Sequence, residues 1–500
     1  MNSGISSRVK QGVFTAGAIF AFAAAGLSQA PLSAPAPAPA AASAPAPGVP
    51  SAADRAAMAA AAAAERDREL KQLGITAMQQ GKSAYDIGKP GNANYDESLA
   101  NPYPKIPDVL TMNDGTKVTT PAQWQKRRAE IKAFFDENVY GKYPEHLPGV
   151  TWKVNSVERV AVAGVPAVVK HVLGHVDNSS FPAITVEIHA DVVTPASTEG
   201  KRVPVIIGGA SLHPFAFPRA APAPGQVVHM ISVPDNPPDS AKLLLEHGWG
   251  FVSRSPTEVQ ADSGGGLDKG IIGLVNRGQP RKPDDWGVLR AWAWGDSRIL
   301  DYLLTDPDVD GTKVGIMGHS RYGKAAVVTE ADDPRFAIGY ISSSGKGGVV
   351  PFRRDFGETL PNSMSAGAFD WFAANLMRYA EVGHSANDLL MDSPEFLALI
   401  APRPVFIGGG VLITDPQYAP GDAWQDITGS FIAAVDASPV WNLLGAKGLG
   451  VTELPAVNTL VDTGDVAFRQ HPYGHTPAPN WPYFIEFADK EFSKTSAARR

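Results

Sequence analysis

Between Asn94 and Phe492, short apolar runs alternate with amphipathic stretches, and this alternation constrains the chain more than any other feature. Val203 to Ile207, Gly250 to Ser253, Val314 to Met317, Ala337 to Ile341 and Pro404 to Ile407 read as buried strands. Trp286 to Leu304 and Tyr322 to Thr329 read as helices, the first with apolar residues at Trp292, Ile299 and Tyr302. Strands alternating with helices predict an α/β architecture, a mostly parallel central sheet flanked by helices in a three-layer sandwich. No internal repeat divides the region, so one domain over residues 95–495 is expected. At 44% hydrophobic residues the chain can bury a core of that size.

The N-terminus reads differently. Arg8 and Lys10 precede an apolar stretch from Val13 to Leu27 and the small residues of Ser28-Gln29-Ala30. That layout predicts a secretory signal over residues 1–30, too short for a stable membrane span. Export to the periplasm or the medium follows. Residues 31–51 are almost entirely Ala, Pro and Ser, the composition of an extended linker. Ala52 to Leu73 lacks Gly and Pro and predicts a polar surface helix, within a helical or partly disordered extension over residues 52–94. A net charge of −7 gives no basic surface for nucleic acid, and none is expected as a partner. The absence of cysteine excludes disulfides, thiolate metal sites and a cysteine nucleophile. A monomer without cofactor is expected.

The passage Val314-Gly-Ile-Met-Gly-His-Ser-Arg-Tyr-Gly-Lys324 runs a strand into Gly318-His319-Ser320 and then a helix. A serine at such a turn is what a nucleophile elbow requires, and the helix N-terminus aims backbone N–H groups at a developing oxyanion. The spacing is G-x-S-x-x-G, with Tyr322 where the commoner motif has glycine. The bland alternative for Ser320 is a helix cap.

α/β-hydrolases order their triad Ser, acid, His, so the base is sought late in the chain. Only His471 and His475 follow the Pro404 strand. Pro472 and Gly474 between them disfavour a helical zinc pair, and no metal is expected. His475, in a loop preceded by glycine, is the better base; His471 reads as a surface or packing residue. For the acid, the stretch after Ile407 offers Asp415, Asp422 and Asp426.

Gly-His-Ser320-Arg321-Tyr-Gly-Lys324, Arg354-Asp-Phe-Gly-Glu358, Asp422-Ala-Trp424 and Gly474-His475 together resemble the glucuronoyl esterases, carbohydrate esterase family 15. The likeness extends from about Asn101 to Phe492 and takes in Arg290-Ala-Trp-Ala-Trp-Gly295 and Leu399-Ile-Ala-Pro-Arg-Pro404. It implies an α/β-hydrolase fold and hydrolysis of the ester between 4-O-methyl-glucuronic acid of glucuronoxylan and a lignin alcohol. By position it implies Ser320 as nucleophile, His475 as base and Arg321 as an oxyanion donor. Lys324, Glu358 and Trp424 would hold the sugar hydroxyls.

One departure stands out. Where many members carry the catalytic glutamate, this chain has Ser343, in Ser342-Ser-Ser-Gly-Lys346-Gly-Gly. Some bacterial members draw the acid from the Asp-x-Trp loop instead, which makes Asp422 the expected acid and Asp426 the second choice. The loop from Gly408 to Gly421 is longer than the family norm. Competing readings are a general carbohydrate acyl esterase, acting for instance on acetylated xylan, and a non-catalytic carbohydrate-binding relative.

Overall fold

Valine and isoleucine dominate the strands that build the centre of the molecule, and because side chains alternate across a strand, such runs bury both faces. The computed structural model describes residues 52–84, 88–209, 237–412 and 421–498. The expected signal and linker lie outside the described residues, as does Asp415. The strands are β1 (Val150–Val162), β2 (Val165–Val176), β3 (Glu187–Pro195), β4 (Val203–Ile207), β5 (Gly250–Arg254), β6 (Val309–His319), β7 (Ile338–Ser342), β8 (Val405–Gly410), β9 (Leu460–Val461) and β10 (Val466–His471). They form one sheet in the order β1-β2-β3-β5-β4-β6-β7-β8-β10-β9. From β5 to β10 the neighbours pair in parallel, while β1–β2, β2–β3, β3–β5 and β9–β10 are antiparallel.

Consecutive residues feed two cores. Ile316, Ile341 and Ile407 face the core shared with the helices Val288–Leu303, Arg321–Asp332 and Ile427–Leu443. Met317, Tyr340 and Phe406 face the one shared with Ser240–Glu246 and Trp481–Ala498. This is the three-layer arrangement of the α/β-hydrolase fold. The predicted strands and helices lie within a few residues of the observed ones, except that β6 starts five residues earlier.

The helix Ala52–Leu73 forms over the predicted span, yet it is more than a surface element. Glu69 is fully buried, accepting from Arg281 Nε at 2.6 Å and Nη2 at 3.2 Å, and Arg281 Nη1 donates to the Phe372 carbonyl. The N-terminal extension therefore packs onto the body of the fold through a buried ion pair. Among the described residues no helix is long and apolar enough to cross a membrane.

Candidate active site

The carboxyl ends of four adjacent parallel strands, β6, β7, β8 and β10, converge on one edge of the sheet, where α/β folds place ligands. At the end of β6, Ser320 adopts φ 60° and ψ −130°. For a residue with a side chain this strain costs about 1–3 kcal/mol and lifts the hydroxyl off the sheet edge. Two glycines make the turn possible: a Cβ on Gly318 would lie 1.9 Å from the Tyr322 carbonyl oxygen, and one on Gly323 would lie 2.6 Å from that of Ser342. Ser320 N donates to the Ser342 carbonyl at 2.9 Å, tying the elbow to β7, and the Arg321–Asp332 helix begins at once.

His475 and Asp422 meet beside this turn. Asp422 is fully buried, and its Oδ1 lies 2.7 Å from His475 Nδ1. Its Oδ2 accepts from Ser343 Oγ and from Gly410 N, both at 2.5 Å. Burial alone would raise this carboxyl; the His475 hydrogen bond and charge, His319 and the Ser343 hydroxyl outweigh it and hold the acid below its ordinary range. Ser343, itself at φ 44°, thus aims its hydroxyl at the neighbouring acid. Among the described residues Ser320 Oγ makes no hydrogen bond, and the His475 ring lies against His319, the residue just before the nucleophile, with centroids 4.2 Å apart.

Asp426 is not brought to the histidine. It caps the Ile427–Leu443 helix by accepting from Gly429 N at 2.9 Å, and its Oδ2 accepts from Arg354 Nε at 2.7 Å. Lys346, buried with Nζ 3.6 Å from Asp426 Oδ2, is a counter-charge to that residue. His471 is buried at the end of β10, its Nε2 donating to the Thr476 carbonyl at 3.0 Å, so of the two expectations for it packing is the one observed.

Arg321 is exposed beside the elbow. Its Nη1 donates to Asp262 Oδ2 at 2.6 Å, and its guanidinium carbon lies 5.2 Å from the centre of the Trp371 ring. Trp371 Nε1 in turn donates to Asp262 Oδ1 at 2.7 Å. Lys324 and Glu358 form a buried pair at 3.0 Å. Lys324 Nζ also donates to the carbonyls of Ser344 and Lys346, so its three donors are met by protein, and it lies 5.8 Å from the centre of the Trp371 ring. Burial, opposed by Glu358, pushes the ammonium pKa down. Trp424 is half-buried and accepts from Glu358 N through its carbonyl, while the buried Oε1 of neighbouring Gln425 has no partner among the described residues. The described residues hold no cluster of three or more His, Asp or Glu side chains arranged to bind a metal.

Sequence reasoning missed His319, Asp262 and Trp371. His319 was visible inside the elbow motif; nothing local marks the other two, which reach the site only through the fold.

A family model described as glucuronyl esterase, fungi, matches residues 281–445. The chain is 30% identical over 422 residues to carbohydrate esterase MZ0003 of an unknown prokaryotic organism, a match covering 80% of this chain and 92% of that protein. It is 26% identical over 382 residues to a 4-O-methyl-glucuronoyl methylesterase of Schizophyllum commune, covering 75% and 81%. The solved structure of a CE15 glucuronoyl esterase from Teredinibacter turnerae superposes with a TM-score of 0.77 at 36% identity, covering 86% of this chain and all of that one.

Proposed function

The chain belongs to the glucuronoyl esterase family, a family of carboxylic ester hydrolases, and on that premise we propose that it cleaves the ester between (4-O-methyl-)glucuronic acid of glucuronoxylan and a lignin alcohol, with Ser320, His475 and Asp422 as its triad. The observation that carries the reading is the buried Asp422 carboxylate bonded to His475 beside a strained serine at a helix N-terminus.

In this mechanism Ser320 Oγ attacks the carboxyl carbon of the uronate ester while His475 Nε2 takes the hydroxyl proton. Asp422 holds the imidazole with its other nitrogen protonated and offsets the imidazolium charge. The first amides of the Arg321–Asp332 helix and the Arg321 side chain face the developing oxyanion. Asp262 engages only Nη1 of that guanidinium and leaves the other N–H groups available. Collapse of the tetrahedral intermediate breaks the bond to the alcohol oxygen, which leaves with the proton from His475. Water, deprotonated by His475, then attacks the acyl-enzyme and frees the glucuronate and Ser320. Glu358 and Trp424 would bind the sugar, with Lys324 holding the Glu358 carboxylate in place.

Residues 1–30 are proposed to direct export, to the periplasm or the medium, after which the enzyme meets its polymer. Turnover of benzyl glucuronate by wild type, Ser320→Ala and Asp422→Asn tests the catalytic reading. Loss of covalent fluorophosphonate labelling in Ser320→Ala is expected, together with a severe fall in kcat for Asp422→Asn. Full activity in either variant would overturn the assignment.

A further inference from the structure

His319 sits immediately before the proposed nucleophile, and its ring is in contact with that of His475, at 4.2 Å between centroids and 42° between planes. Its Nδ1 is 3.0 Å from Ser342 Oγ, while its buried Nε2 makes no hydrogen bond of ordinary length and angle, the ring's other polar neighbour being the His475 backbone. A buried polar atom without a well-formed hydrogen bond is costly, and an apolar side chain would fill the position without that cost. Packing alone therefore does not account for a histidine here.

Resting on the triad reading above, we propose that His319 is a positioning residue for the esterase reaction: its ring holds the plane of His475 and presents an aromatic face to the imidazolium formed when Ser320 is deprotonated. The titratable groups around His319 are His475, Asp422 and His471. Burial first, then His475, pushes the His319 pKa down to about 3, against a smaller upward pull from Asp422, so the ring stays neutral while its neighbour gains a proton. A cation within about 6 Å of an aromatic centroid is attracted to the face of the ring, more strongly when desolvated. That attraction arises only once His475 is charged, so it favours the transition state over the ground state.

Two variants separate the ring from the hydrogen bond. His319→Gln retains a partner for Ser342 but has no ring; His319→Phe retains a ring but no hydrogen bond. The measurement is the pH dependence of kcat/KM for benzyl glucuronate, whose acidic limb reports the free enzyme's base. For His319→Gln the limb moves down by about 0.4–0.7 pH unit and the plateau falls about two- to fivefold. For His319→Phe the limb stays within about 0.2 unit of wild type, by the same ring argument. His319→Leu, ringless and apolar, replaces Gln if that variant fails to fold, with the same shift expected. An unmoved limb in the ringless variant, or equal shifts in Phe and the ringless variant, overturns the proposal. Wild type that turns over nothing, or Ser320→Ala that turns over normally, instead removes the triad reading beneath it.

Discussion

Two carboxyl groups in this molecule are equally removed from water and behave in opposite ways. Asp422, at the sheet edge, has a partner for each oxygen and is held below the ordinary carboxylate range. Glu330, near the far end of the Arg321–Asp332 helix, lies fully buried against Gly339 with neither oxygen hydrogen-bonded, and burial, opposed only by Arg403, pushes it up to about 8. Burial does not decide charge; the donors that accompany it do. The molecule thus keeps an anion where a proton must be shuttled and a neutral acid where nothing reacts.

The sharpest break of that contrast is Asp422→Asn, which preserves shape and removes charge. A loss of about 10⁴ in kcat is expected, by the general behaviour of Ser-His-Asp sites, and steady-state kinetics on benzyl glucuronate checks it. Arg321→Ala leaves the acid untouched and removes an oxyanion donor, so kcat should fall about 10²–10³-fold with folding intact, read by kinetics and circular dichroism. Ser343→Ala takes away one donor to Asp422; a hydrogen bond worth about 1 kcal/mol corresponds to a roughly fivefold fall in kcat. Unchanged kinetics in Ser343→Ala would mean that the remaining contacts suffice to hold the carboxylate.

Glu330→Gln should change turnover least and sharpen the comparison most. A buried acid whose folded pKa lies near 8, above its ordinary 4.5, contributes stability below the lower value and loses it as pH rises through the upper one. Asp422 runs the other way: its contribution is present above the ordinary value of 3.8 and is lost on acidification. Melting temperatures measured from pH 5 to pH 8 should show Glu330→Gln gaining on wild type as pH rises. Parallel curves would show that Glu330 is charged despite its surroundings.

The elbow was legible in the sequence because its determinants are local: a strand, two glycines forced by carbonyl contacts at 1.9 and 2.6 Å, and a helix, all within eleven residues. The parallel strands were legible for a similar reason, since double-sided burial writes a continuous apolar run. The hairpin of β1 and β2 was not read. Its turn, Ala163-Gly164, takes φ of 49° and 80° at both positions without the usual Asn-Gly signal, and much of β1 is exposed. Asp262 and Trp371 lie 59 residues before and 50 residues after Arg321 in the chain, so their convergence on it is a property of the fold. Lys346, three residues after Ser343, meets its counter-charge Asp426 from a distant segment, so that pairing too came only with the fold.

The junction between Glu69 and Arg281 bears on how this enzyme can be shortened. A version beginning at residue 95, where the hydrolase pattern starts, would leave the Arg281 guanidinium sealed inside without its counter-ion, bonded to the carbonyl of Phe372, the residue after Trp371. Severing a buried pair in that way typically costs about 3–5 kcal/mol, a large part of a domain's stability. The practical minimum of this protein therefore includes the helix that carries Glu69.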